Sequence, residues 1–177
     1  MKRKVKVDLG ELAMALDIDS SELHQYLDLE TGQIIPIMDE FSSELEGIYE
    51  EIYDEDGNRP VSLEEYLEQR DDPDWQKEMI LEADRVERAY GTRYIRVERG
   101  DPYGDYQDME RFVGIVEDAR LRERLGGAIR GRGAFRRFKD LLARHPQVEA
   151  AWFEFKDARL DQRVSDWLEN HDIEPVQ

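Results

Sequence analysis

HQYLDLETGQIIPI, residues 24–37, decides the fold class. Two β-prone runs flank Glu30-Thr31-Gly32, where the glycine can take the positive φ that a tight hairpin needs. Pro36 has no N–H to give to a ladder, which predicts that the second strand lies at a sheet edge. The run RYIRVE, residues 93–98, reads as one more strand. A hairpin over 24–38 and a strand over 93–98 make a small antiparallel sheet, and nearly everything else has a helical period. The expectation is one α+β domain over 1–177: hairpin, strand and acidic helices in 1–100, and a predominantly helical subdomain in 101–177.

Outward from the hairpin, Asp8 is placed to cap a helix carrying Leu9, Leu12, Ala13 and Leu16. Phe41, Leu45, Ile48 and Ile52 repeat at helical spacing, and DEDGNRP then punctuates the chain. Ser62 and Glu65 form a capping-box pair. Asp72-Pro73 predicts an N-cap followed by proline at the first helical position, opening a helix with Trp75, Met79, Val86 and Tyr90 on one face and Gly91 as its stop. DPYGD, 101–105, reads as a loop. Beyond it come Met109, Phe112, Val113 and Val116, then Leu121, Leu125 and Ile129, then an inward stripe of Phe135, Phe138 and Leu142 that ends at His145-Pro146. A final helix from about Gln147 turns Val148, Trp152, Phe155, Leu160, Val164, Trp167 and Leu168 inward.

The net charge is −18 over 177 residues, and cysteine is absent. Disulfides, thiolate metal sites and cysteine nucleophiles are excluded by inventory. So acidic a chain argues against a general binder of duplex DNA or membranes. The apolar residues of MKRKVKVDLGELAMALDI are spaced by charge, with neither a signal-peptide core nor a membrane span, which predicts a cytoplasmic address.

Charge is unevenly spread. Residues 39–88 hold nineteen Asp or Glu against five Lys or Arg, whereas residues 120–144 hold nine Lys or Arg against two acids. Within the basic stretch, GRGAFRRFKD (131–140) and the preceding arginine offer a candidate anion site: Arg130, Arg132, Gly133, Arg136, Arg137 and Lys139. Glycines permit close backbone approach, a helix start at Ala134 supplies N–H groups, and guanidinium groups bind phosphate bidentately. The structural alternative is a tight helical hairpin whose arginines are solvated or paired with acids.

Four stretches, YLDLETG (26–32), GDYQDMERFV (104–113), LRERLGGAIRGRGAFRRFKD (121–140) and WFEFKDARLDQRVSDWL (152–168), together resemble a bacterial family of uncharacterised proteins. GRGAFRRFKD is the most specific of them, and the acidic middle from about 39 to 90 takes no part. No activity, cofactor or catalytic residue is established for that family, so the resemblance implies membership and carries over no site.

Other constellations are weaker. Asp54, Asp56, Asn58 and Glu65 stand at calcium-loop spacing, but Arg59 occupies the position that needs glycine. His24, His145 and His171 lack metal-ligand spacing, the serines lack a nucleophile elbow, and carboxylate pairs among 43 Asp and Glu are too common to inform. Trp152, Phe153, Phe155 and Trp167 could stack bases, although their spacing suits a core, with Phe153 off the stripe. No catalytic residue, metal or cofactor is therefore assigned. The leading expectation is a non-enzymatic binding or regulatory module acting through protein contacts. The alternatives are a phosphate-bearing ligand, RNA or a nucleotide, at the basic hairpin, or a hairpin with no ligand that docks on the acidic segment.

Overall fold

The computed structural model describes residues 2–98 and 103–176. Along the chain run β1 (Arg3–Val5), α1 (Leu9–Asp17), β2 (Leu23–Asp28), β3 (Ile34–Met38), α2 (Asp39–Ile52), α3 (Leu63–Glu68) and α4 (Asp74–Arg88). They are followed by β4 (Tyr94–Val97), α5 (Gly104–Ile115), α6 (Ala119–Ala128), α7 (Ala134–Leu142), α8 (Pro146–Asn170) and β5 (Ile173–Pro175). The fold is α+β. Two compact units form: Met1–Glu98 with His171–Gln177, and Arg99–Asn170.

In the first unit the antiparallel sheet has the order β3-β2-β4, built from the expected hairpin and single strand. Pro36 lies on β3, the edge strand. Gly32 has φ +76, and a Cβ there would stand 1.6 Å from the Lys6 carbonyl oxygen, so the turn is pressed against the chain that follows β1. Asp28, buried at the end of β2, accepts the N–H groups of Glu30 and Thr31 in the turn. It also receives Nε and Nη2 of Arg93 at 3.0 and 2.7 Å. One carboxylate thus fixes the turn and locks β4 onto it. Burial alone would raise its pKa, but the Arg93 and turn hydrogen bonds outweigh burial and bring it down to about 2.

A second, parallel pair, β1 with β5, matches Arg3 to Ile173 and Val5 to Pro175. Each strand has three residues, too few to print a periodicity. Beside the hairpin, α2, α3 and α4 share a core with the sheet through Ile37, Phe41, Ile48, Leu63, Ile80 and Tyr94. The caps expected from the sequence hold at Asp8, whose carboxylate accepts the Glu11 N–H, and at Ser62 and Glu65, which form a reciprocal capping box. The expected α4 is corrected in two respects. Pro73 is the N-cap and the helix starts at Asp74, one residue late. Trp75 and Tyr90 are exposed, and the buried residues are Ile80, Ala83, Asp84 and Val86. Trp75 stands in the first turn and meets Phe41 edge-on, while Tyr90 lies past the last helical residue. The loop expected over DPYGD falls partly on residues 101 and 102, outside the described residues.

Gly32→Ala is expected to lose about 3 kcal/mol or more in chemical denaturation, because left-handed backbone and a backbone clash add together. Gly91→Ala has φ +77 but open space around the added methyl. It should lose only about 1–2 kcal/mol. Asp28 supplies a pH test. Its folded pKa is depressed from 3.8 to about 2, so its stabilisation is present above 3.8 and disappears as pH falls through that window. Thermal melts of Asp28→Asn should start lower at neutral pH and show a flatter decline than the parent's between those values.

Candidate functional site

The second unit is built around Phe112 of α5. Its ring meets Trp152 at 5.2 Å and Phe138 at 6.4 Å, and Phe138 meets Trp152 at 4.9 Å, so three helices contribute to one aromatic cluster. Leu121 and Leu125 of α6 and Leu141 and Leu142 of α7 complete the core. Phe155 is half-buried against it and Phe153 is exposed.

The basic stretch makes the α6–α7 hairpin. Gly131 and Gly133 have φ +73 and +79, and Gly133 is the N-cap of α7. The free N–H and C=O groups around such a turn need partners, and Arg137 supplies donors to three of the carbonyls. Its Nε donates to Ala128 at 3.0 Å, and Nη1 and Nη2 donate to Arg132 and Arg130, both at 2.5 Å. A Cβ on residue 133 would come within 3.1 Å of Nη1, so glycine there also makes room for the guanidinium. Arg137 is a clasp across the hairpin. Arg122 acts similarly at the preceding connection, donating to the Val116 carbonyl at the end of α5.

The remaining basic groups face solvent. Arg130, Arg132 and Lys139 are exposed, and Arg136 is 90% exposed with Asp140 at 3.9 Å, a surface pair worth little. The inward stripe is corrected at one place. Phe138 is 1% exposed, but Phe135 is 47% exposed. The buried set is Ala134, Phe138, Leu141 and Leu142, so small Ala134 takes the inward position of the first turn and Phe135 is displaced to the rim. An aromatic ring therefore stands half out in solvent, and its sequence neighbours Arg132, Arg136 and Lys139 are exposed as well.

A second polar feature of this unit has no counterpart among the sequence expectations. Asp108, 1% exposed on α5, receives Nε of Arg159 at 3.0 Å and Nη2 of Arg163 at 2.5 Å, both from α8, with Arg111 at 3.7 Å. Arg159 and Arg163 are one helical turn apart and therefore share a face. That spacing was the available signal, but it names no partner more than fifty residues away. Over the whole unit, 14 Lys or Arg balance 14 Asp or Glu, leaving 11 against 29 in the first unit, which carries all of the −18.

At the other candidate, the calcium-like loop, Asp54 commits its carboxylate to the Asp56 and Asn58 N–H groups and to Asn58 Nδ2. Among the described residues no group of three or more His, Asp or Glu is arranged to hold a metal ion. None of their helices is long and apolar enough to cross a membrane.

The sequence profile of an uncharacterised protein family, UPF0158, matches residues 62–177. That span includes α3, α4 and the whole second unit, and it reaches into the acidic middle. A UPF0158 protein of Pseudomonas aeruginosa is 32% identical over 68 residues, 38% of this chain. The match spans 44% of that relative's length. No solved structure matches.

Phe138→Ala should cost about 3–5 kcal/mol, because it empties a site inside the aromatic cluster. Phe135→Ala should stay within about 0.5 kcal/mol of the parent. Arg137→Gln removes the donors to carbonyls of an exposed turn, which water can partly replace, and should cost about 0.5–1.5 kcal/mol. Urea denaturation of the three variants checks the order, and a Phe135→Ala loss equal to that of Phe138→Ala would refute the assignment of Phe135 to the surface.

Proposed function

This chain belongs to the uncharacterised protein family UPF0158, and we propose that it is a non-enzymatic binding module of the cytoplasm. Its contact surface is the α6–α7 hairpin and its partner is a protein. The observation that carries this reading is Phe135, half out in solvent on a hairpin whose Arg132, Arg136 and Lys139 are also exposed. Leaving a phenylalanine fully in water forgoes about 1.5–3 kcal/mol of burial, and a partner can recover the roughly half of this that Phe135 leaves exposed. Aromatic and arginine side chains are also the groups that carry most interface energy. The Arg137 clasp supports the same reading, because a hairpin stiffened before contact loses less freedom on binding. The basic character of the surface points to an acidic patch on the partner, with charge setting specificity and encounter rate more than affinity.

A second reading takes the same surface as a site for a phosphate-bearing ligand, RNA or a nucleotide. The exposed ring favours it too, since a base can stack on Phe135 while arginines hold the phosphates. It is the weaker reading because Arg137, one of the six residues singled out in the sequence, gives three of its donors to backbone carbonyls.

Tagged parent and a Phe135→Ala, Arg136→Glu double variant are to be purified from the native cell, with co-purifying protein and nucleic acid both quantified. A protein partner retained by the parent after nuclease treatment and lost by the variant is the expected result. Nuclease-sensitive recovery, together with short single-stranded RNA binding that weakens steeply with salt and is lost in Arg132→Gln, Arg136→Gln, would transfer the assignment to the second reading. Equal recovery by parent and variant would remove the hairpin from the interface.

A further inference from the structure

The first unit has 29 acidic residues against 11 basic ones, yet three of its arginines line one cavity. The cavity, about 310 Å³, lies where the end of α4 meets the start of β4, with Arg85, Arg88, Arg93, Asp84, Leu81 and Tyr94 in its wall and Glu64 beside them. Its size is at the small end of the range that holds organic ligands, roughly 300–1,000 Å³.

Arg88 is held in a particular way. The Asp84 side chain, 5% exposed, accepts the Tyr49 hydroxyl at 2.6 Å and Nε of Arg88 at 3.0 Å. Burial and the bond to Asp84 both push the Tyr49 pKa up, so the hydroxyl stays a donor and the carboxylate stays oriented. Nη1 and Nη2 of Arg88 make no hydrogen bond within the described residues. The stem is thus anchored through one nitrogen while the planar fork, with its Nη N–H groups, is left for something else. Arg93 is fixed by Asp28 and Glu30, and its guanidinium lies 5.2 Å from the Tyr94 ring centroid. Arg85 has only Glu82, at 3.7 Å. Leu81, Ala89 and Tyr94 add apolar wall between these cations.

We propose that this cavity binds a small organic carboxylate carried on a flat apolar body, with the Arg88 fork as its bidentate anchor. A planar carboxylate matches the planar fork. In the wall itself, three guanidinium groups stand against Asp84 and Glu64, a surplus of one positive charge. Asp28 and Glu30 behind Arg93 reverse that surplus, so the anchor is the directed Arg88 fork and not net charge, and a phosphate dianion is opposed more strongly than a single carboxylate. The negative end of the α4 dipole opposes the second charge as well. This site is independent of the hairpin and of the function proposed for it.

The test uses the full chain, ¹⁵N-labelled, titrated separately with benzoate, phenyl phosphate and inorganic phosphate while the arginine Nε–Hε and backbone amide signals are followed. Benzoate should shift the Arg88 Nε–Hε and Tyr94 amide signals saturably, with a Kd of about 1 mM or below. Arg88→Gln should weaken it by about tenfold or more, the loss of a charge-assisted pair. Because Arg88→Gln also disturbs a buried carboxylate, Arg85→Gln, at a side chain 60% exposed, provides the variant that keeps the fold, and it should weaken benzoate several-fold. The Phe135→Ala, Arg136→Glu variant should bind benzoate like the parent. Absence of saturable shifts, shifts unchanged in both arginine variants, or tighter binding of phenyl phosphate than of benzoate would each overturn the proposal.

Discussion

A chain with 43 acidic and 25 basic residues cannot bury a carboxylate without reserving a cation for it, and among its described residues three are buried. Two are answered by an arginine that the fold has to bring from far along the chain, and Asp84 by Arg88 one turn on in its own helix and by a distant tyrosine. Asp28 with Arg93 joins the hairpin turn to β4. Asp84 with Arg88 and Tyr49 joins α4 to α2. Asp108 with Arg159 and Arg163 joins α5 to α8. Such pairs add little net stability, because the desolvation of both charges offsets their attraction, but removing one partner strands a charge at a cost of about 3–5 kcal/mol. Their effect is selective: a slipped register or a rotated helix leaves a buried carboxylate alone. The apolar cores could tolerate several packings, and the three carboxylates admit one.

How much of this was legible in the sequence depends on distance along the chain. The hairpin was, because Gly32 and Pro36 act through their own backbone, and so were the caps at Asp8 and Ser62, which reach three residues. Stripes were legible where the helix lies wholly over a core, as with Phe41, Leu45, Ile48 and Ile52 in α2, all buried. They failed at helix ends. Trp75, Tyr90 and Phe135 have the right spacing, but each stands in the first turn or past the last one, where the core no longer lies beneath. The pairs of Asp28 with Arg93 and of Asp108 with Arg159 and Arg163 were illegible, since in a charge-rich chain every acid has many arginines to choose from and only the fold selects among distant ones.

The candidate hairpin was legible as a concentration of charge but not as a division of labour. Of its arginines, Arg137 lies along the turn and satisfies backbone carbonyls, while Arg132 and Arg136 face outward. Composition cannot separate the two uses, because a guanidinium suits a carbonyl cluster as well as a phosphate. The acidic unit presents the converse. Several of its few arginines are placed where a carboxylate or a ring holds them still, so a cavity there presents fixed guanidinium groups that the composition around it does not suggest.

The pairing of β1 with β5 has a temporal meaning. Arg3 finds Ile173 across most of the chain, whereas the contacts of the aromatic cluster around Phe112 lie within residues that leave the ribosome together. Long-range pairing is slow to form, and domains whose contacts are contiguous fold first during synthesis. The second unit has therefore been delivered in full while the first is still one strand short. Until Ile173 arrives, β1 has no partner strand, and the strand of that unit synthesised before all its others is the last to be paired.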